Sequence, residues 1–143
     1  MIATCRYPLN MNKMKFFLTS LLIMLVSFAF GQGDITPKVV DAFKKGDGTS
    51  LGSHFMPSVD LNIKGKEESL SREVATASLV KFFSQNPVKS FEIKHQGTSK
   101  LDDQFRIGEL QTANGEFRVT FFMKKTGVAM QIKQLTIEAD EDF

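Results

Sequence analysis

The chain has 143 residues, which suits one domain and not two, because a single core typically serves roughly 100 to 150 residues. Apolar residues make up 42% of the chain and charged residues 24%, values that argue against both a disordered and a membrane-embedded class. Removing the three basic residues near the amino terminus (Arg6, Lys13 and Lys15) leaves 15 basic and 16 acidic residues, a net charge of −1. A nucleic-acid partner is therefore not predicted.

The amino-terminal segment has the pattern of a secretory signal. A basic segment at Lys13 and Lys15 precedes an almost unbroken apolar run over residues 16–30, which is short for a membrane-spanning helix. We predict a signal peptide over residues 1–31, in which residues 1–10 are an upstream extension and Met11 is the true start. The alternative is an uncleaved membrane anchor.

Small residues mark the expected cleavage site. Ala29 and Gly31 favour cleavage before Gln32, and Ser27 with Ala29 offers a second site. The single cysteine, Cys5, lies before the apolar run, so the product has no disulfide and no acylated cysteine. The expected product is exported to the periplasm or the extracellular medium, and it meets the membrane only through the signal segment before cleavage.

Helix signals come first in the mature chain. Thr36 is the expected cap of the first helix, Pro37 fits its first turn, and Gly46 ends it. After a small-residue turn, residues 50–55 are expected to form one more helical turn that carries Leu51 and Phe55 into the core.

A second long helix is predicted from Ser71 to just before Asn86-Pro87, because the residue before a proline is pushed out of the helical region. Its apolar side chains recur at spacings of three and four. They are Ala75, Leu79, Phe82 and Phe83, with Val80 beside them.

Strand signals dominate the rest of the sequence. Period-two alternation predicts a strand over residues 59–63, a loop around Gly65, and three to four antiparallel strands from Ser90 onward. Asn114-Gly115 predicts a type I′ hairpin and residues 125–127 a second hairpin. The apolar positions of the last strand change parity, which predicts a β-bulge near Lys133 and Gln134.

These elements predict an α+β fold over residues 32–138, with helices packed on one face of a curved antiparallel sheet. Residues 139–143 are expected to form a solvated acidic tail.

The element order, the helix that ends in Phe82-Phe83 before Asn86-Pro87, and the two hairpins over residues 108–138 resemble a known group. The chain resembles the cone-shaped nuclear transport factor 2-like (cystatin-like) fold and, within it, the small secreted bacterial proteins of the domain of unknown function 4783 family. The resemblance covers nearly all of residues 34–138. It implies a bent sheet around a long helix, often with a pocket at the open end.

Some relatives with this fold are isomerases or dehydratases that place an Asp and a His or Tyr in the pocket. The only tyrosine here, Tyr7, lies ahead of the leader, so the arrangement with Tyr cannot be transferred. An acid/base enzyme using Asp60 with His54 or His95 remains one hypothesis. Against it, Asp60 alternates out of phase with its apolar neighbours and therefore points to solvent. We predict no metal and no cofactor.

A non-catalytic binding module is the first hypothesis, with a small apolar ligand or a protein as its partner. The candidate pocket lies between the second long helix and the sheet, and its candidate residues are Phe82, Phe83, Phe117, Phe121, Asp60, His54 and His95. The second hypothesis is a structural role as a homodimer through the outer sheet face, where Phe122 is expected beside Leu110. The alternative for Phe122 is an isolated surface aromatic.

Overall fold

The computed structural model describes residues 33–127 and 129–140, so the predicted leader lies outside the described residues. These residues form three helices and six strands. In chain order the elements are α1 (Thr36–Lys45), α2 (Gly48–Gly52), β1 (Phe55–Ile63), β2 (Lys66–Ser71), α3 (Arg72–Gln85), β3 (Val88–Thr98), β4 (Gln104–Thr112), β5 (Gly115–Thr126) and β6 (Ala129–Ala139). None of the helices in this part of the chain is long and apolar enough to cross a bilayer.

The six strands form one curved, unclosed sheet in the order β2-β1-β6-β5-β4-β3. Neighbouring strands are antiparallel except β1 and β6, which pair in parallel. The helices pack on one face of this sheet, which confirms the predicted α+β architecture.

The core lies between the helices and the sheet and is rich in phenylalanine. The Phe43 ring of α1 stacks on Phe91 of β3 with 4.5 Å between ring centroids, and it also lies 6.3 Å from Phe121 and 6.0 Å edge-on from Phe83. These rings fill the space under the sheet. The inside of the cone is therefore packed with the chain's own side chains along α1.

The start of α1 differs from the prediction. Its cap position is Ile35, one residue before Thr36, and the Ile35 side chain makes no capping hydrogen bond. The Asp34 carboxylate accepts the hydrogen bond of the Thr36 backbone nitrogen at 2.9 Å. The Thr36 hydroxyl instead accepts a hydrogen bond from Nε of Arg106 at 3.1 Å, and Nη1 of Arg106 donates to the Phe105 carbonyl. The buried guanidinium thus links α1 to β4. It binds the Thr36 hydroxyl, which was expected to cap the helix. The predicted end is confirmed, since Gly46 adopts φ 62° and closes the helix.

Glycines let α2 lie directly against α3. A Cβ added at Gly48 would lie 2.7 Å from the backbone nitrogen of Val80, and one at Gly52 would collide with the side chain of Thr76. The helical turn expected over residues 50–55 lies instead at Gly48–Gly52. Leu51 does reach the core from α2, whereas Phe55 reaches it as the first residue of β1.

The predicted limits of α3 are confirmed at both ends. Ser71 caps it by accepting a hydrogen bond from the backbone nitrogen of Val74, and it ends at Gln85 before Asn86-Pro87. The predicted buried face is also correct, except that Val80 is 45% exposed.

Strand β2 was not predicted, because five of its six residues are exposed and only Leu70 is partly buried. Short polar strands of this kind are common at the edge of a sheet. Lys64 and Gly65, where a loop was expected, form the two-residue turn that joins β2 to β1.

Both predicted hairpins form, with a correction to each turn. In the second, Lys125 and Thr126 belong to β5, and the hairpin closes between the paired residues Thr126 and Ala129. The loop between β4 and β5 is Ala113-Asn114, and neither residue has a positive φ, so it is not a type I′ turn. The Thr112 hydroxyl satisfies the turn instead, accepting from the Asn114 nitrogen and donating to the Gly115 carbonyl.

The predicted bulge in the last strand is confirmed. Phe122 pairs with Gln134 while Met123 pairs with Ile132, so Lys133 is the extra residue of β6. Beyond the bulge β6 continues to Ala139, and Asp140 forms an ion pair with Arg118 at 3.2 Å. The first residues of the predicted tail are therefore held on the sheet.

Candidate functional site

The predicted pocket residues separate into core and surface. Phe83, Phe117 and Phe121 are buried in the core, where the Phe117 ring meets Phe82 edge-on at 5.3 Å. Phe82 also lines a surface groove of about 240 Å³ between α3 and the β1–β2 hairpin. The expected apolar pocket inside the cone is thus occupied by side chains, and a smaller groove lies at its end.

Lys64 covers this end of the aromatic core. Its Nζ lies 5.3 Å from the centroid of the Phe117 ring and 6.0 Å from that of Phe82. An ammonium over an aromatic face at this distance is attracted by the ring quadrupole. The groove therefore has aromatic faces below it and a cation at its mouth.

His54 lies on the helical side of the sheet, at the turn between α2 and β1. It lines a cavity of about 230 Å³ with side chains of α1 and α2, among them Lys38, Asp41 and Asp47. Burial, and after it the nearby charge of Lys38, lowers the pKa of His54 below its usual value. A neutral imidazole in this position is well suited to packing.

His95 and Asp60 lie on the outer face of the sheet, the face turned away from the helices. The β3–β4 register shifts between Ile93 and His95, so His95 pairs with Ile107 and leaves the inward face of Phe91 and Ile93. The alternation pattern had placed His95 on that inward face, and the irregularity at Lys94 reverses its direction. Asp60 is exposed beside Gln134 of β6, as the alternation predicted.

The three candidate acid/base residues do not meet in one cleft. Asp60 on β1 and His95 on β3 are separated by β6, β5 and β4, which places them roughly 19 Å apart at the usual strand spacing. His54 lies on the other side of the sheet. An Asp and a His that act as an acid/base pair must lie within hydrogen-bond distance of each other. These residues therefore do not form a catalytic pair. Within residues 33–127 and 129–140, no cluster of three or more His, Cys, Asp or Glu could hold a metal ion.

The predicted interface pair is half correct. Phe122 does lie on the outer face, but Leu110 is fully buried on the inner face opposite Phe117. Strand β4 directs Arg106, Gly108 and Leu110 inward, because Arg106 anchors α1 and Gly108 leaves room for the Phe91 ring, 2.6 Å from where its Cβ would be. Phe105 and Ile107 are therefore the apolar β4 residues on the outer face.

Together these outward side chains form an apolar surface that sequence reasoning missed. Phe105 and Phe122 are cross-strand partners with ring centroids 6.0 Å apart, and Ile107 is the next outward residue of β4. The Phe105 ring also lies over Gly97 of β3, where an added Cβ would be 2.7 Å from the ring. We call Phe105, Ile107 and Phe122 the outer-face patch; all three are partly exposed.

One end of the outer face is acidic. Beside the patch is a cleft of about 540 Å³ lined by His95, Ile107 and a set of charged groups: Lys94, Glu109, Arg118 and Asp140. Glu109 forms an ion pair with Lys94 at 3.6 Å. A hydrogen bond between Glu109 and Glu116 lowers the pKa of Glu109 and raises the pKa of Glu116. Carboxylates outnumber cations at this end, since Glu92 and Glu138 lie in the same cross-strand row as Glu109 and Arg118.

The other end of the outer face has fewer carboxylates. Lys124 is the next outward residue of β5 after Phe122, and it is exposed. The loop between β3 and β4 at the same end of the sheet carries one exposed charge of each sign, Lys100 and Asp102. Along the strands the outer face therefore runs from a carboxylate-rich end, through the outer-face patch, to an end where β5 carries a lysine.

Comparison with known proteins agrees with this architecture. A crystal structure of a DUF4783 family protein from Bacteroides uniformis ATCC 8492 is similar, with a TM-score of 0.71 and 34% identity over 76% of this chain and 100% of that chain. One from Bacteroides fragilis YCH46 has a TM-score of 0.71 and 38% identity, over 75% of this chain and 100% of that chain. No curated protein matches the chain.

A more distant structure shares the fold alone. An NTF2-like protein of unknown function from Cytophaga hutchinsonii ATCC 33406 has a TM-score of 0.54 at 9% identity, over 75% of this chain and 88% of that chain. The model of the family described as "Domain of unknown function (DUF4783)" matches residues 36–138. The chain therefore belongs to the DUF4783 family and has its nuclear transport factor 2-like, cystatin-like α+β fold.

Proposed function

We propose that the chain is an exported, non-catalytic binding module that works as a pair, with the outer sheet face of one copy docked on the same face of a second copy. The observation that carries this proposal is the outer-face patch. Two phenylalanines and an isoleucine lie together on a sheet face that no helix or strand of the described residues covers. Apolar side chains grouped in this way are typical of protein interaction sites.

The charges beside the patch favour a second copy as the partner. A two-fold axis that crosses the strands at the level of Phe105 and Phe122 turns β5 of one copy antiparallel to β5 of the other. The carboxylate-rich end of each copy then faces Lys124 of its partner, while the two patches face each other. Sheets pack face to face in this way at about 10 Å, with the side chains of both faces interdigitated.

The pairing is tested by measuring the mass of the folded protein by sedimentation equilibrium. We expect twice the mass of one chain for the wild type. For Phe122→Glu and Phe105→Glu we expect the mass of one chain, because each places an unpaired carboxylate in the apolar contact. Val74→Glu is the matched control, since Val74 is 51% exposed on α3 and a carboxylate suits the first turn of a helix. A wild-type protein with the mass of one chain contradicts the proposal. So does a Val74→Glu variant whose mass in solution falls as far as that of the two phenylalanine variants.

Export is the second part of the proposal, and its support is the basic segment followed by the apolar run over residues 16–30. We expect intact-mass measurement of the secreted protein to give a product that begins at Gln32 or, from the second site, at Phe30. A product that retains residues 16–30 would instead establish an uncleaved anchor.

A further inference from the structure

The groove between α3 and the β1–β2 hairpin has the chemistry of a small-ligand site. Its floor is apolar, formed by Leu61, Ile63 and Phe82. Polar groups surround the floor: Lys64, Lys66, Glu68, Ser78, Lys81 and Gln85. At about 240 Å³ the groove is below the size of most drug-sized pockets, so its ligand must be small.

The rim of the groove carries an excess of positive charge. Lys66 pairs with Glu68 at 3.2 Å, which neutralises both. Lys64 and Lys81 form no ion pair with any residue in the described part of the chain. Two lysines without an ion-pair partner there, one from the hairpin and one from α3, therefore line a groove with an apolar floor.

Lys64 occupies a backbone position that does not suit lysine. It has φ 53° and Gly65 has φ 85°, so the two form the tight turn between the paired residues Ile63 and Lys66. Turns with two positive φ values favour asparagine followed by glycine, and a lysine there is strained. From this turn the Lys64 ammonium lies over the Phe117 and Phe82 rings, and strained residues of this kind often mark functional positions.

We propose that the groove binds a small anion with an apolar body, such as a medium-chain carboxylate. The anionic group lies between Lys64 and Lys81, and the apolar body lies along Leu61 and Phe82. Charge complementarity selects the anion, and the small apolar floor selects a short aliphatic or single-ring body. This site is separate from the outer sheet face and does not depend on pairing.

Calorimetric titration of the purified protein with octanoate tests the proposal. We expect octanoate to bind, and 1-octanol and octylammonium, which have the same chain without the negative charge, to bind at least about tenfold more weakly, a difference of ~1.4 kcal/mol. Added salt should weaken octanoate binding because the lysines are exposed. Heats of binding that are no larger with octanoate than with 1-octanol would overturn the proposal.

Two variants locate the site, and one serves as the control. Lys64→Asn and Lys81→Gln should each weaken octanoate binding about tenfold, whereas Lys44→Gln, which removes an exposed charge from α1, should leave it unchanged. Lys64→Asn should also unfold at a temperature close to that of the wild type, because the better fit of asparagine to the turn offsets the lost cation–π contact. That result separates loss of the site from loss of the fold. Unchanged binding in both groove variants overturns the proposal.

Discussion

Phe43→Ala should lower the free energy of unfolding by about 3 to 5 kcal/mol, the cost of removing a large buried aromatic side chain. Phe43 is fully buried and contacts three other rings, from β3, β5 and α3. Its removal leaves a cavity where α1 meets the sheet. Because small domains are stable by only about 5 to 15 kcal/mol, the variant should be close to unfolding at room temperature. Urea denaturation followed by circular dichroism measures the loss.

Leu101→Ala provides the control for this experiment. Leu101 is 82% exposed, so its truncation should change the free energy of unfolding by no more than about 0.5 kcal/mol. A Phe43→Ala variant that loses less than about 1 kcal/mol would show that α1 does not fill the inside of the cone.

Gly48→Val should cost about 3 kcal/mol, at the upper end of the range for overpacking. The new Cβ would lie 2.7 Å from the Val80 backbone nitrogen and 3.0 Å from the Leu79 carbonyl carbon. Both atoms belong to the backbone of α3, so no side chain can rotate away. We expect α2 to be displaced from α3, with a lower unfolding midpoint in urea.

Thr49→Val is the matched variant for Gly48→Val, since it places the same side chain on the exposed side of the same helix. It should change the free energy of unfolding by about 0.5 kcal/mol or less. Equal losses in the two variants would mean that valine disturbs α2 itself, and that the close approach to α3 contributes nothing.

The sequence predicted the helices well, because their signals are local. Gly46 ends α1 through a left-handed φ that glycine adopts without strain, and Ser71 caps α3. The bulge in β6 could also be predicted, because Ile132 and Leu135 are both apolar yet differ in parity. An irregularity in the apolar pattern is itself a local signal.

The face of β4 could not be predicted, because its two faces carry misleading residues. The outward side chains Phe105 and Ile107 look like a core face, whereas the inward set contains Arg106 and Gly108. The buried Arg106 guanidinium donates to Thr36, which is distant in sequence, as well as to its neighbours in β4, and Gly108 is required because Phe91 approaches it. Both reasons arise from tertiary contacts.

The candidate site was hard to predict for the same reason. His95 alternates regularly with Phe91 and Ile93 in sequence, and nothing there signals the register shift that turns it outward. The groove between α3 and the β1–β2 hairpin depends on β2, an edge strand whose polar sequence has no apolar pattern. The sequence pattern did predict the directions of the Phe82 and Phe122 side chains correctly. These two residues lie in the two surfaces on which the proposals rest.

An isotope-filtered NMR experiment on an equal mixture of labelled and unlabelled protein tests the proposed pairing most directly. Such an experiment detects only contacts between copies. We predict cross-peaks from the Phe105 and Phe122 rings to the outer face of the second copy, and none from residues of α3. An absence of contacts between copies, or contacts confined to the helical side, would contradict the proposal that the outer face joins two copies.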